Sequence, residues 1–376
     1  MAYNTKPVFL VLAFLFTIAL PIIHARHDQI RPRVDAIYQF GDSISDTGNL
    51  IRENPIGASL GCGRFPYGQN FFLGRPTGRC SNGRLMVDFF AEHFNLPYLD
   101  AYLNRNGNFN HGVNFAVVGS TALSTYELAA RRIESRTTRS SLSPMQLSWF
   151  RSHIRSICHN PSDCKRKFAN ALFIVESGGN DFNYAFFGGK SMKEVQGMVP
   201  DVIRTIRRAV EQLISLGAIR VVIPGNFPIG CLPIYLTTYQ TNNASKYDEL
   251  HCLREMNEFA TYQNNFLQQT IRELQRENPT VTIIYGDYFT ALRELLQNAV
   301  SLGFDRHETQ RACCGMGNNV YNYDGTRMCG TGVPVCEQPD KSVSWDGIHM
   351  TQHAYSVMAN WLLNHNIVPG ITKART

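Results

Sequence analysis

The chain has 376 residues, 44% hydrophobic and 18% charged. That balance excludes a disordered chain, a collagen-like repeat and a coiled coil, and the length suits one large α/β domain or two average ones. The formal charge of +6, from 36 basic and 30 acidic residues, is thinly spread, and no basic cluster is dense enough to suggest nucleic acid as a partner.

At the amino end, Lys6 precedes an uncharged run from Val8 to Ile23, followed by His24-Ala25-Arg26. A lone cation, a short apolar core and a small residue at a cleavage point describe an export signal over 1–25, with the mature chain starting near Arg26. The run falls short of the about 20 residues that a membrane anchor needs, and no later stretch is apolar enough to span a bilayer. Residues 26–376 show no internal repeat and no Pro- or Ser-rich linker, so they read as a single domain.

Short apolar runs then alternate with long amphipathic ones. Ala36–Phe40, Ala171–Val175, Ile219–Ile223 and Val281–Tyr285 are compact, β-branched or aromatic, and read as strands. Asn114–Gly119 is a further strand-like run ending in Gly. Between the strands, Met192–Leu216 reads as a helix stopped by Gly217. Asp248–Asn278 reads as another, with Leu250, Leu253, Met256, Phe259 and Phe266 on one face. At the carboxyl end Ala354, Val357, Met358, Trp361 and Leu362 follow helical spacing. Strands separated by helices require crossover connections, hence a parallel sheet covered by helices.

The ten cysteines fall outside the long periodic segments: Cys62 and Cys80 in a Gly-rich loop, Cys158 and Cys164 around a five-residue polar loop, Cys231 and Cys252 around another. Cys313, Cys314, Cys329 and Cys336 crowd a Gly-rich stretch. They read mostly as loop disulfides formed in an oxidising compartment, and spacing leaves their pairing open. A structural zinc site is the competing reading, but paired C-x₂-C spacings are absent. Asn243-Ala-Ser245 is an acceptor pattern for N-glycosylation in a polar loop.

Four short motifs stand at strand or helix boundaries. Gly41-Asp42-Ser43 follows the first strand, where Ser43 would project from the carboxyl edge of the sheet. Gly119 ends its run and could offer an unobstructed N–H. Gly178-Gly179-Asn180-Asp181 follows the third strand, and the Asn180 amide could donate to an anion. Asp346-Gly347-Ile348-His349 precedes the last helix, close enough for the carboxylate to hold the imidazole in one tautomer. Each motif alone is ordinary turn or cap chemistry. Together they supply a nucleophile, a base, an orienting carboxylate and oxyanion donors, which is the inventory of acyl transfer. The G-x-S-x-G elbow of α/β-hydrolases is missing around Ser43, which disfavours that fold.

On these four blocks, in this order and spacing from about Val34 to the last helix, the chain resembles the plant GDSL esterase/lipase family of the SGNH hydrolase superfamily. The stretches Tyr38–Leu50 and Gly61–Arg84 look most like its members acting on small specialised metabolites. The resemblance implies a flavodoxin-like three-layer α/β/α sandwich and a triad of Ser43, Asp346 and His349. It also implies an oxyanion hole of the Ser43 and Gly119 N–H groups with the Asn180 amide, and no metal or organic cofactor. The substrate would be a small-molecule ester, from a range that covers fatty-acyl esters, acetylated sugars, choline esters of phenolic acids and acetylated alkaloids. With its export signal, the protein itself would be secreted to the apoplast, or sent to the vacuole. Ile44 replaces the Leu of the family signature, a volume-conserving change. Val118 stands where members often have a smaller residue and should narrow the pocket. Alternatives are acyl transfer to an alcohol or lipase action on the same triad, a catalytically silent secreted binding protein, and a metal site on Asp346, His349 and His353. The last lacks the Glu of an H-E-x-x-H helix, since Met350 holds that place.

Overall fold

The computed structural model describes residues 1–3, 32–53, 57, 61–135 and 141–373. Its framework is a five-stranded, all-parallel sheet of β1 (Ala36–Phe40), β2 (Gly112–Asn114), β3 (Ala171–Val175), β4 (Arg220–Pro224) and β5 (Thr282–Gly286), in the spatial order β2-β1-β3-β4-β5. The expected export signal lies outside the described residues apart from its first three, and the fold is built on the unit Pro32–Thr376. Among the described residues no helix is long and apolar enough to cross a membrane.

The strands carry apolar residues on both faces, as a sheet covered on both sides requires. Ala36, Tyr38 and Phe40 of β1 and Ala171, Phe173 and Val175 of β3 point into one core. That core is closed by α2 (Leu147–Ile157), α4 (Met192–Ser215) and α6 (Arg254–Glu277). Ile37, Leu172, Ile174, Val222 and Ile284 point into the other. Here the cover is α1 (Met86–His93), α7 (Tyr288–Gln297) and α8 (Gln352–Leu362). Two shorter helices, α3 (Gly179–Phe187) and α5 (Pro233–Thr238), stand beyond the strand ends. The three-layer α/β/α architecture expected from the sequence is therefore observed. The chain leaves β1 toward β2 on one side and returns to β3 on the other. That reversal opens a crevice at the carboxyl edge, where doubly wound sheets bind ligands.

Two elements differ from the sequence reading. The run Asn114–Gly119 is not a strand: β2 ends at Asn114, and the following backbone bonds partly to side chains. Ala116 N–H donates to Asn114 Oδ1 at 2.9 Å, Asn49 Nδ2 donates to the carbonyls of Asn114 and Ala116, and Val118 N–H donates to Asp46 Oδ2. Phe115 and Val117 N–H still donate to the carbonyls of Gln39 and Gly41 on the β1 side, and side chains serve the backbone groups on the open side, where no strand lies. The helix expected from Asp248 begins at Arg254, because Asp248 Oδ1 accepts from the N–H groups of Leu250 and Cys252 and closes a turn. By contrast α4 starts where its capping box puts it. Ser191 Oγ accepts from Glu194 N–H, and Glu194 Oε2 accepts from Ser191 N–H.

All ten cysteines pair, as Cys62–Cys80, Cys158–Cys164, Cys231–Cys252, Cys313–Cys336 and Cys314–Cys329. No thiolate is left to hold zinc. The polar loop between Cys158 and Cys164 contains a helix start, Asn160 Oδ1 accepting from Asp163 N–H with Pro161 first in the helix. Five such bridges fit folding in an oxidising compartment.

Candidate active site

Ser43 sits in a turn just past β1, held from three directions. Gly41 packs so closely on the next strand's exit that a Cβ there would lie 2.5 Å from Glu176 Oε2 and 2.6 Å from its carbonyl oxygen, so only glycine fits. Buried Gln146 brackets Gly41, its Oε1 accepting from Gly41 N–H and its Nε2 donating to Gly41 O and Ser120 Oγ. Asp42 folds the chain back: its carbonyl accepts from Ser45 and Asp46 N–H, and its Oδ1 from Ile44 N–H. Asp42 N–H and Ser45 Oγ in turn donate to Glu176 Oε2. The result turns the Ser43 side chain into an open cleft.

Facing it is the turn Asp346–His349. Gly347 adopts a φ of 94°, and a Cβ there would lie 2.2 Å from the Tyr323 ring. Asp346 Oδ1 accepts from the N–H groups of Ile348 at 2.9 Å and His349 at 2.7 Å, which locks the carboxylate to its own turn. Its Oδ2 lies 2.7 Å from His349 Nδ1, and His349 Nε2 lies 2.8 Å from Ser43 Oγ. Three residues from opposite ends of the chain thus form one continuous hydroxyl–imidazole–carboxylate chain. All three are buried, Asp346 the most completely.

Burial alone would raise the Asp346 carboxyl. The charge of His349 and the hydrogen bonds to it outweigh that and hold it below its ordinary value. Burial would likewise lower His349, but the charge and hydrogen bond of Asp346, with the charge of Asp42, raise it. The arrangement favours an imidazolium paired with an ionised carboxylate, the state general-base action produces.

Gly119 and Asn180, two more of the expected residues, line the same cleft. Gly119, with a φ of 74°, lines it beside Ser43, and Tyr184 Oη donates to its carbonyl at 2.9 Å. Asn180, in the first turn of α3, is half-buried. Its Nδ2 donates to Ser120 O at 3.0 Å and Asp42 Oδ2 at 3.2 Å. Asn243 is exposed in its loop, its Oδ1 accepting from Ser245 N–H. His353 does not join the triad. Its Nδ1 bonds to Asp340 O at 2.7 Å and its ring stacks on Phe304. Both nitrogens of His349 are engaged elsewhere, so Asp346, His349 and His353 do not form a metal set.

Several residues behind the site went unread in the sequence. Asp46 accepts from Gly48, Asn49, Leu50 and Val118 N–H groups, tying the Ser43 turn to the Gly119 loop. Asp181 accepts from Ala122 and Leu123 N–H, and burial pushes it up to about 7. Burial pushes Asp42 up to about 6 and, with the charge of Asp42, pushes Glu176 well above the usual carboxylate range. Nothing in the local sequence separates these acids from ordinary turn residues.

The cleft measures about 800 Å³ and is walled largely by apolar and aromatic side chains, among them Tyr184, Phe187, Tyr235, Tyr239, Tyr323 and Met328. Val118 lines it as well. Behind Ser43 lies a second, much smaller pocket of about 50 Å³, bordered by Ser177, Asn226, Phe227, Ile229 and Gln263. His349 lines the large cleft and not the small pocket.

A doubly wound α/β/α sandwich carrying this hydrogen-bonded chain at its carboxyl edge has the make-up of a hydrolase. The chain belongs to the GDSL-like lipase/acylhydrolase family, whose model matches residues 37–362. It is 45% identical over 342 residues to an acetylajmalan esterase of Rauvolfia serpentina, covering 90% of this chain and 86% of that one. It is 42% identical over 369 residues to a GDSL esterase/lipase of Arabidopsis thaliana, covering 97% and 94% of the two chains. The protein is thus a carboxylic-ester hydrolase related to plant enzymes, with small-molecule esters as its substrate class.

Proposed function

We propose that the protein is a secreted serine esterase that cleaves short-chain, above all acetyl, esters of plant metabolites through an acyl-enzyme. Ser43 Oγ attacks the ester carbonyl while His349 Nε2 takes its proton and Asp346 steadies the imidazolium. The oxyanion is met by the N–H groups of Ser43 and Gly119 and by the Asn180 amide, which gives up its longer bond to Asp42 Oδ2, 3.2 Å, to do so, each donor contributing about 2.7–4 kcal/mol. His349 then protonates the departing alcohol, and a water activated by the same imidazole releases the acid. No metal or cofactor takes part. The single observation that carries this reading is the chain Ser43–His349–Asp346 at 2.8 and 2.7 Å, open to a cleft of about 800 Å³.

The two pockets support the choice of ester. The leaving alcohol must lie within reach of His349, and therefore in the large aromatic cleft. The acyl group can then occupy the small pocket behind Ser43, which has room for about four water molecules at about 10–15 Å³ each. The acetylajmalan esterases among the relatives favour an acetyl ester as well. Export to the apoplast or vacuole, with a glycan on Asn243, agrees with the five disulfides and the exposed acceptor. The test is a panel of acetyl, butyryl, octanoyl and hydroxycinnamoyl esters of one aromatic alcohol, with products resolved in the presence of competing alcohols. Free acid should form, fastest from the acetyl ester, and Ser43→Ala should lower turnover by about 10³-fold or more. Equal or faster octanoyl cleavage would refute the pocket assignment, and ester products alone would make the protein a transferase.

A further inference from the structure

Among the hydrogen bonds to Asp346, three come from its own turn and one comes from far away in sequence. Tyr67 Oη donates to Oδ2 at 2.7 Å, the same oxygen that faces His349 Nδ1. Tyr67 lies in the loop closed by Cys62–Cys80 and is almost fully buried, its ring edge-on to Trp345. Its phenol is pushed well above the ordinary tyrosine range, by burial first and then by the charge of Asp346, so it remains a donor. A phenol has one hydrogen to give, and this one is committed to the carboxylate.

We infer that Tyr67 is a positioning residue of the ester-cleaving site, holding the Asp346 carboxylate in plane and drawing charge from the oxygen that orients His349. The inference rests on the reading of Asp346 as the orienting carboxylate. Backbone donors fix Oδ1, and among the described residues Tyr67 is the one donor to Oδ2 besides the imidazole itself. Without the hydroxyl, Oδ2 keeps a buried lone pair unmatched and carries more charge toward His349. The imidazole then holds its proton more firmly. Since His349 accepts a proton only when neutral, activity must fall off at a higher pH on the acid side. The other titratable groups facing the pair are Asp42 from the nucleophile turn, Tyr323 from the Gly-rich loop and Tyr355 of α8. Tyr67→Phe leaves all three in place and keeps the ring packed on Trp345.

The experiment compares wild type, Tyr67→Phe and a protein with 3-fluorotyrosine at position 67, a stronger donor of nearly the same shape. Each is assayed on a soluble acetyl ester as a pH series, with thermal melting. Tyr67→Phe should lower kcat about tenfold with KM within about twofold, as loss of a hydrogen bond to a charged group implies. Its acidic limb of kcat/KM should move to higher pH, and the fluorinated protein's limb should move to lower pH. Unchanged kcat and limb positions would overturn the inference. So would a uniform loss at every pH accompanied only by a lower Tm, which marks a purely structural tyrosine. Should Tyr67→Phe fail to fold, the fluorinated protein alone decides the question by the direction of its limb. Full activity of Ser43→Ala would instead remove the proposed function, so the two failures are told apart.

Discussion

Replacing Asp346 by Asn exchanges a single oxygen for an NH₂ group and should disable the site without disturbing the fold. The backbone N–H groups of Ile348 and His349, at 2.9 and 2.7 Å, will keep the one remaining carbonyl oxygen on the Oδ1 side. The new NH₂ then takes the Oδ2 position, where it meets two hydrogens, one from His349 Nδ1 at 2.7 Å and one from Tyr67 Oη at 2.7 Å. The phenol can rotate and accept. The imidazole can relieve the clash only by carrying its proton on Nε2, which points at Ser43 Oγ 2.8 Å away and can no longer accept that hydroxyl's proton. A triad caught in the wrong tautomer loses about 10⁴ in kcat, or about 5 kcal/mol of barrier. Ground-state binding in the cleft does not involve this carboxylate, so KM should stay within about threefold. The assay is steady-state hydrolysis of a soluble acetyl ester, with circular dichroism and melting to confirm the fold. Turnover within tenfold of wild type, in a folded Asp346→Asn protein, would refute the tautomer argument.

Asn180→Ala should lower kcat by about 10²–10³ with little change in KM, measured on the same ester, and a change in KM alone would make Asn180 a substrate-positioning group. Thermal stability should be greatest near pH 5 and decline toward pH 8. Asp42 and Asp181, raised to about 6 and 7 by burial, and Glu176, raised further, bind more protons folded than unfolded over that range. His349, also raised, contributes in the same direction, its stabilisation being lost as pH rises through its folded pKa, whereas lowered Asp346 costs stability only in stronger acid. A Tm at pH 8 equal to that at pH 5 would contradict the burial of these acids.

The fold was legible because its strands are short, mostly apolar and bounded by turn residues, so that Ala36–Phe40 and Ala171–Val175 come out at the limits read from the sequence. The strand-like run after Asn114 misled because its residues are as apolar as a strand's. What serves their remaining backbone groups is a set of amide and carboxylate side chains from Asn49, Asn114 and Asp46, and residue type alone does not say which backbone group such a side chain will reach. The helix expected from Asp248 failed for a related reason, since an Asp that closes a turn looks the same in sequence as one that caps a helix. At the site, Ser43, Gly119, Asn180, Asp346 and His349 each stand beside a Gly or at an element boundary, and that made them visible. Tyr67, Gln146 and Glu176 reach the site only through tertiary contact, over separations of 279, 105 and 134 residues, and carry no local mark.

The claim on which the account turns is that the Ser43 hydroxyl, polarised through His349, is the nucleophile. Treatment of the intact protein with an organophosphonate ester, followed by peptide mass mapping, reads this directly. One phosphonyl group per chain should appear on Ser43 in step with the loss of esterase activity, and Asp346→Asn should slow its attachment. Complete inactivation with the label on another residue, or full activity in protein modified at Ser43, would contradict it.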